Sequence, residues 1–78
     1  MLSNYKLFKN FKLAVKVWKT VEDRPFRASD YGFSDEQMET LSSLSIIKCI
    51  DKTNKKWKVN TTNLYNFILS VEHALDNI

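Results

Sequence analysis

The segment around Ser34 constrains the fold of this chain most, because it has the residue spacing of a helix start. The Ser34 hydroxyl can accept a hydrogen bond from the backbone N–H of Gln37, and the Gln37 side chain can accept one from the N–H of Ser34. Phe33 before the cap and Met38 after it can form an apolar contact that fixes the entry of the chain. These features predict a helix over residues 34–45. Its buried stripe is expected to consist of Met38, Leu41 and Leu44.

Two further helices are predicted from apolar residues that recur at helical spacing. The first covers residues 7–22, and Pro25 blocks its continuation. The last covers about residues 62–76, and Thr61 or Thr62 can cap its start. The apolar face of the first helix is expected to consist of Leu7, Phe11, Ala14, Trp18 and Val21. That of the last helix is expected to consist of Leu64, Phe67, Ile68, Val71, Ala74, Leu75 and Ile78.

The remaining segments predict a short helix and a β-hairpin. Residues 28–31 are long enough for one or two helical turns, and Gly32 suits the left-handed conformation that ends a helix. Residues 46–60 predict the hairpin, because two segments of high β-propensity flank a polar, lysine-rich turn. A very short strand is expected at Phe26 and Arg27. The residues expected to point into the core from the helix and strands are Trp18, Cys49 and Trp57.

The order helix, short helix, helix, hairpin, helix defines a mainly α fold with a small β-hairpin, in the α+β class. We expect residues 1–78 to form a single domain, because no repeat, linker or low-complexity segment interrupts the sequence. The hydrophobic fraction of 44% is high enough for a packed core.

The composition also excludes several classes of function. Cys49 is the only cysteine, so the chain has no internal disulfide, and a reducing, cytoplasmic location is expected. No apolar run approaches the roughly 18 residues that a membrane span requires, and the first ten residues lack a signal core. His73 has no second metal-ligand candidate nearby in sequence. We therefore expect no enzyme activity, cofactor, metal site, membrane contact or small-molecule substrate.

The element order resembles a winged helix-turn-helix domain of the bacterial and archaeal transcriptional regulator type, over nearly the whole chain. Two runs carry the resemblance. Residues 24–31, RPFRASDY, lead into the short second helix. Residues 41–48, LSSLSIIK, place two leucines three apart before a small turn and paired aliphatic residues. The glycine that the family usually has before the paired aliphatic residues is absent here.

The resemblance implies a small DNA-binding transcriptional regulator, with the third helix near the major groove of duplex DNA and the hairpin as the wing. The wing is expected to contact phosphates through Lys52, Asn54, Lys55, Lys56 and Lys58. The third helix is expected to contact DNA through Glu39, Thr40, Ser42 and Ser43. Further candidate phosphate contacts are Arg24 and Arg27.

The distribution of charge leaves a second function open. Residues 1–27 contain seven basic residues against two acidic ones, and residues 48–58 contain five against one. Residues 28–47, which include the third helix, contain four acidic residues and no Lys or Arg. The alternative is a protein-interaction winged helix, whose acidic third helix meets a basic partner while the flanking lysines meet an acidic one.

Two surfaces of the terminal helices have two interpretations each. A basic stripe lies opposite the apolar face of the first helix, and it is either a solvated face or a contact for an acidic protein or second subunit. This stripe consists of Lys9, Lys12, Lys16 and Lys19. Apolar residues outside the main stripes indicate either extra core contacts or a homodimer packed through the terminal helices. These residues are Phe8, Leu13, Tyr65 and Leu69.

Overall fold

The chain folds into three α-helices and one β-hairpin, in a computed structural model that describes residues 2–76, with side chains from residue 5 onward. The α+β class and the position of the hairpin before the last helix agree with the prediction. The predicted second helix is a single 3₁₀ turn, and Ile78 lies outside the described residues. The elements in chain order are α1 (Leu2–Val21), the 3₁₀ turn (Ala28–Asp30), α2 (Asp35–Ser43), β1 (Ile47–Asp51), β2 (Lys56–Val59) and α3 (Thr61–Asp76).

Helix α1 begins earlier than predicted, at Leu2, and it buries a different face. Ala14, Val17 and Val21 are fully buried, whereas Trp18 is 38% exposed. The prediction that Trp18 anchors the core is therefore wrong, and the buried face is rotated by about 50° from the predicted one. Helix α1 packs against α2, α3 and β2, and the positions of these elements, which the sequence alone does not give, decide which part of its apolar surface is buried.

The start of α2 has both of the predicted capping hydrogen bonds. The Gln37 N–H donates to Ser34 Oγ over 3.1 Å, and the Ser34 N–H donates to Gln37 Oε1 over 2.9 Å. Phe33 and Met38 are both buried in the core. This reciprocal capping fixes the direction in which α2 leaves the preceding turn.

The end of α2 comes at Ser43, two residues before the predicted end, because Ser45 adopts a left-handed conformation with φ of 59°. The Ile46 N–H donates to the Leu41 carbonyl, and the Ser45 N–H donates to the Ser42 carbonyl. This pair of bonds is the Schellman termination of a helix, which normally places glycine at the left-handed position. Ser45 therefore occupies the position of the glycine that the sequence lacks.

Replacing Ser45 with glycine is expected to stabilise the protein by about 0.5–1 kcal/mol, because glycine adopts a positive φ without the steric cost of a Cβ. Ser42→Gly is a matched control within α2, where glycine should instead destabilise the helix by a similar amount. Urea denaturation followed by circular dichroism measures both effects. A loss of stability in Ser45→Gly would contradict the conformation described for this residue.

The hairpin is joined by a third extended segment at Phe26. The Phe26 N–H donates to the Trp57 carbonyl and the Trp57 N–H donates to the Phe26 carbonyl, each over 2.8 Å. The expected short strand is thus a single bridging residue. Trp57 is half-buried and packs against the core, as expected, but Cys49 opposite it is exposed. Cys49 shares the inward face with Ile47 but lies farther along β1, where it lines an open groove between the hairpin and α2.

Helix α3 closes the core against α1. Its cap is Asn60 rather than Thr61 or Thr62, because the Asn63 N–H donates to Asn60 Oδ1 over 3.1 Å. Leu64 is buried as predicted, whereas Leu75 is exposed near the end of the helix. The central core joins all of these elements and consists of Ala14, Val17, Val21, Phe26, Phe33, Met38, Leu41, Ile46, Ile47, Val59 and Leu64.

Candidate nucleic-acid interface

An open groove of about 1020 Å³, here called the hairpin groove, lies between α2 and the β-hairpin. Its apolar residues include Phe33, Met38 and Trp57, which are anchored by the core. The basic side chains that line it are Arg27, Lys52 and Lys55, and the acidic ones are Asp35 and Glu39. All five charged side chains are exposed, so solvent and salt screen their interactions. The groove therefore has an apolar part and a rim of mixed charge.

Four DNA contacts were predicted on the third helix, which is α2 in the structure, and three of them line the hairpin groove. These are Glu39, Ser42 and Ser43. The Ser43 hydroxyl donates its proton to the Thr40 carbonyl over 2.9 Å, so it faces a ligand as an acceptor unless it rotates. Thr40 itself lies on the other side of α2, toward α1. One edge of α2 thus faces the hairpin, and the other edge faces α1.

The hairpin tip, residues 52–55, supplies Lys52, Asn54 and Lys55 to the groove. Asn54 is held in place by Asp51, whose Oδ1 accepts from the Asn54 N–H over 3.2 Å and whose Oδ2 accepts from Asn54 Nδ2 over 2.8 Å. Lys55 completes the turn with a left-handed φ of 54°. The Asn54 amide therefore orders the tip and keeps its carbonyl oxygen and one side-chain N–H for a ligand.

The other two predicted wing contacts, Lys56 and Lys58, do not line the groove. Successive side chains of a strand point to opposite faces, and Trp57 between them faces the core and the groove. Lys58 is the direct cross-strand partner of Lys48, so these two lysines lie together on the far face of the hairpin. The sequence contained the signal for this division, because Trp57 was expected to point inward and its two neighbours on the strand then point outward.

Of the two candidate arginines, only Arg27 lines the groove. Arg24 donates from Nε to the Val21 carbonyl and from Nη2 to the Thr20 carbonyl, each over 3.3 Å. These carbonyls belong to the last turn of α1, whose partial negative charge favours a cation. Arg24 thus caps α1. Only the guanidinium N–H groups that do not make these two bonds are available to a phosphate.

The bonds from Asn54 predict a pH dependence of the hairpin tip. The Asn54 side chain, and then its backbone N–H, lower the pKa of Asp51 below its ordinary value. A carboxyl whose pKa is lower in the fold contributes stability that is present above its unfolded pKa and is lost as the pH falls through its folded pKa. We expect the Asn54 amide signals to titrate below the ordinary Asp range, and Asn54→Ala to return the Asp51 pKa toward it. An NMR titration in which Asp51 of the unmodified protein titrates at or above that range would contradict these bonds.

A second, smaller groove of about 480 Å³, here called the α1 groove, lies on the opposite side of α2. From α2 it is lined by Glu36, Gln37 and Thr40. From α1 it is lined by the basic side chains Lys6, Lys9, Lys12 and Lys16. Three residues of the predicted lysine stripe thus lie beside α2. Sequence reasoning missed this neighbour, because the stripe can be read from the helical period but its position relative to α2 depends on packing.

The predicted dimer residues divide between the core and the surface. Leu13 packs against the core, which favours the interpretation as a core contact for this residue. Phe8, Tyr65 and Leu69 are exposed, and Tyr65 is 64% exposed. The homodimer stays a prediction.

Residues 2–76 contain neither a membrane-spanning helix nor a cluster of metal ligands. No helix there is both long enough and apolar enough to cross a membrane. No group of three or more His, Cys, Asp or Glu side chains in the same stretch is placed to hold a metal ion. Comparison with protein-family models, curated proteins and solved structures found no match to this chain.

Proposed function

We propose that this protein is a small DNA-binding transcriptional regulator with a winged helix-turn-helix fold. The observation that carries the proposal is the hairpin groove, in which α2 and the lysine-bearing hairpin tip face the same open space. In this account α2 is the recognition helix and the hairpin is the wing. The bridge from Phe26 to Trp57 supports the assignment, because it ties the segment before the 3₁₀ turn to the hairpin.

The dimensions and charges of the two elements suit duplex DNA. A helix with its side chains is about 10–12 Å wide, and the major groove is about 12 Å wide. With α2 in that groove, Lys52 and Lys55 reach the phosphate backbone on the side of the hairpin. Arg27 lies on the same side. Affinity then comes mainly from the backbone contacts and not from α2.

The acidic residues of α2 are compatible with this arrangement. Asp35 and Glu36 lie in the first turn, where the helix dipole favours negative charge. Glu39 lies beyond the first turn, where its carboxylate can accept a hydrogen bond from a cytosine amino group. Ser42 beside it can bond to a base or a phosphate. Glu39 is therefore the residue on which sequence preference is expected to depend.

Binding to a random-sequence duplex at two salt concentrations tests the proposal. Phosphate contacts release counterions, so the affinity measured by fluorescence anisotropy should fall steeply between 50 and 200 mM salt. The protein is first freed of bound nucleic acid, so that its binding surface is not already occupied. A neutral polymer of the same length as the duplex is the negative control. Absence of binding at the lower salt, or an affinity that does not depend on salt, would contradict DNA binding.

The apolar part and mixed rim of the hairpin groove favour one other function, a protein-interaction module. Half-buried Trp57 provides an apolar contact that a nucleic-acid backbone does not use, and Asp35 and Glu39 suit a basic partner. An affinity purification that recovers one stoichiometric protein, together with no DNA binding at low salt, would decide for this function.

A further inference from the structure

The α1 groove places a row of exposed lysines along the edge of α2 that faces away from the hairpin. The row consists of Lys6, Lys9, Lys12 and Lys16. The lysines of the hairpin tip lie at the opposite edge of α2, in the hairpin groove. The exposed face of α2 therefore has basic side chains along both of its sides.

The order of residues around α2 agrees with this description. At 100° per residue, the exposed face runs from Ser42 and Glu39 beside the hairpin, through Glu36, to Thr40 and Gln37 beside α1. Ser42 and Glu39 line the hairpin groove. Glu36, Thr40 and Gln37 line the α1 groove. A partner that lies on the exposed face of α2 is therefore within reach of both lysine groups.

Duplex DNA is the partner whose charge matches two separate basic rows. Its phosphates follow both edges of the major groove, which is about 12 Å wide, so a helix lying in the groove has one phosphate strand on each side. An acidic protein surface has no general reason to present negative charge in two rows with a helix-wide gap between them. Charge and spacing together therefore favour DNA over an acidic protein at the α1 groove.

We propose that Lys6, Lys9, Lys12 and Lys16 form a second phosphate-contact surface, which holds the DNA strand on the opposite side of the major groove from the strand that the hairpin tip contacts. This inference rests on the proposed DNA binding and deepens it. The first helix thereby takes part in binding directly, and α2, which has no Lys or Arg of its own, is held in the groove from both sides.

Two of the four lysines also have contacts within the fold. Lys12 Nζ lies 5.1 Å from the centre of the Phe8 ring, and Lys16 Nζ lies 5.7 Å from that of Phe33. Substituting either one would therefore alter packing as well as charge. Lys9 is the better residue to test. Lys19 is its matched control, since it is exposed on the same helix and does not line the α1 groove.

The test compares Lys9→Glu with Lys19→Glu, which change the net charge equally, for binding to a random-sequence duplex over a series of salt concentrations. Lys9→Glu is expected to lower the affinity at 0.1 M salt by roughly tenfold and to reduce the slope of log K against log salt by about 1. Lys19→Glu is expected to lower the affinity by at most about threefold, through long-range charge alone. Thermal unfolding by circular dichroism checks that both variants are folded.

Three results would overturn the inference. Equal losses in Lys9→Glu and Lys19→Glu, with the unmodified protein still binding, would leave DNA binding intact but remove the second phosphate contact. No binding by the folded, unmodified protein would overturn both the inference and the proposed function. Loss of binding to poly-glutamate in Lys9→Glu, with DNA affinity unchanged, would assign the surface to an acidic protein.

Discussion

Replacing Lys52 and Lys55 together with alanine is expected to lower the affinity for duplex DNA by roughly 50-fold at 0.1 M salt. Each phosphate contact releases about 0.9 of a counterion, which corresponds to nearly a factor of ten at this salt concentration. Both lysines line the hairpin groove beside α2. The loss should be similar for all DNA sequences, because phosphate contacts carry no base information. Anisotropy titrations with two unrelated duplexes measure it.

The control is the double replacement of Lys48 and Lys58 with alanine. It removes the same charge from the same hairpin, but these two lysines face each other on the far side of the strands. It should cost much less affinity, and it should slightly stabilise the hairpin, because it relieves the repulsion between directly opposed like charges. Equal losses in the two double variants would show that only net charge matters, and would contradict binding through the hairpin groove.

Replacing Leu41 with alanine is expected to destabilise the fold by about 2–5 kcal/mol. Leu41 is fully buried in the central core, beside the equally buried Ile46 that follows the end of α2. A domain of this length has a total stability of roughly 4–12 kcal/mol, so the variant loses a large fraction of it. Urea denaturation, followed by tryptophan fluorescence and circular dichroism, measures the change.

Leu44→Ala is the matched control for Leu41→Ala. Leu44 is the same residue type at the end of the same helix, but it is only half-buried and packs at the margin of the core. We expect it to cost less than half as much as Leu41→Ala, because less apolar surface is exposed and the smaller cavity is open to water. A larger loss in Leu44→Ala would contradict the packing described for the end of α2.

The features that depend on local contacts could be predicted from the sequence. The start of α2 needs only the spacing of Ser34 and Gln37 and the apolar residues on either side, and both capping hydrogen bonds agree with the prediction. The hairpin likewise follows from β-propensity and a polar turn. Gly32 adopts the expected left-handed conformation, with φ of 73°. None of these features requires knowledge of the neighbouring elements.

The features that depend on packing could not be predicted in the same way. Trp18 and Val17 are both apolar and adjacent, and only the positions of α2 and α3 decide that Val17 is buried. Cys49 shares a face with Ile47, but it lines the open hairpin groove, and the sequence does not give the separation between α2 and the hairpin. The α1 groove is the clearest case, because a lysine stripe on one helix says nothing about which element lies beside it.

Chemical-shift mapping of the backbone amides with a random-sequence duplex tests the central claim most directly. The claim is that α2 and the hairpin tip form one DNA-binding surface. It predicts that the largest shifts at low salt occur in residues 35–43 and 51–56, with smaller ones along the lysine-bearing side of α1. Chemical-shift changes concentrated in α3 would contradict it. So would the absence of changes at a protein concentration well above the dissociation constant of a weak DNA complex.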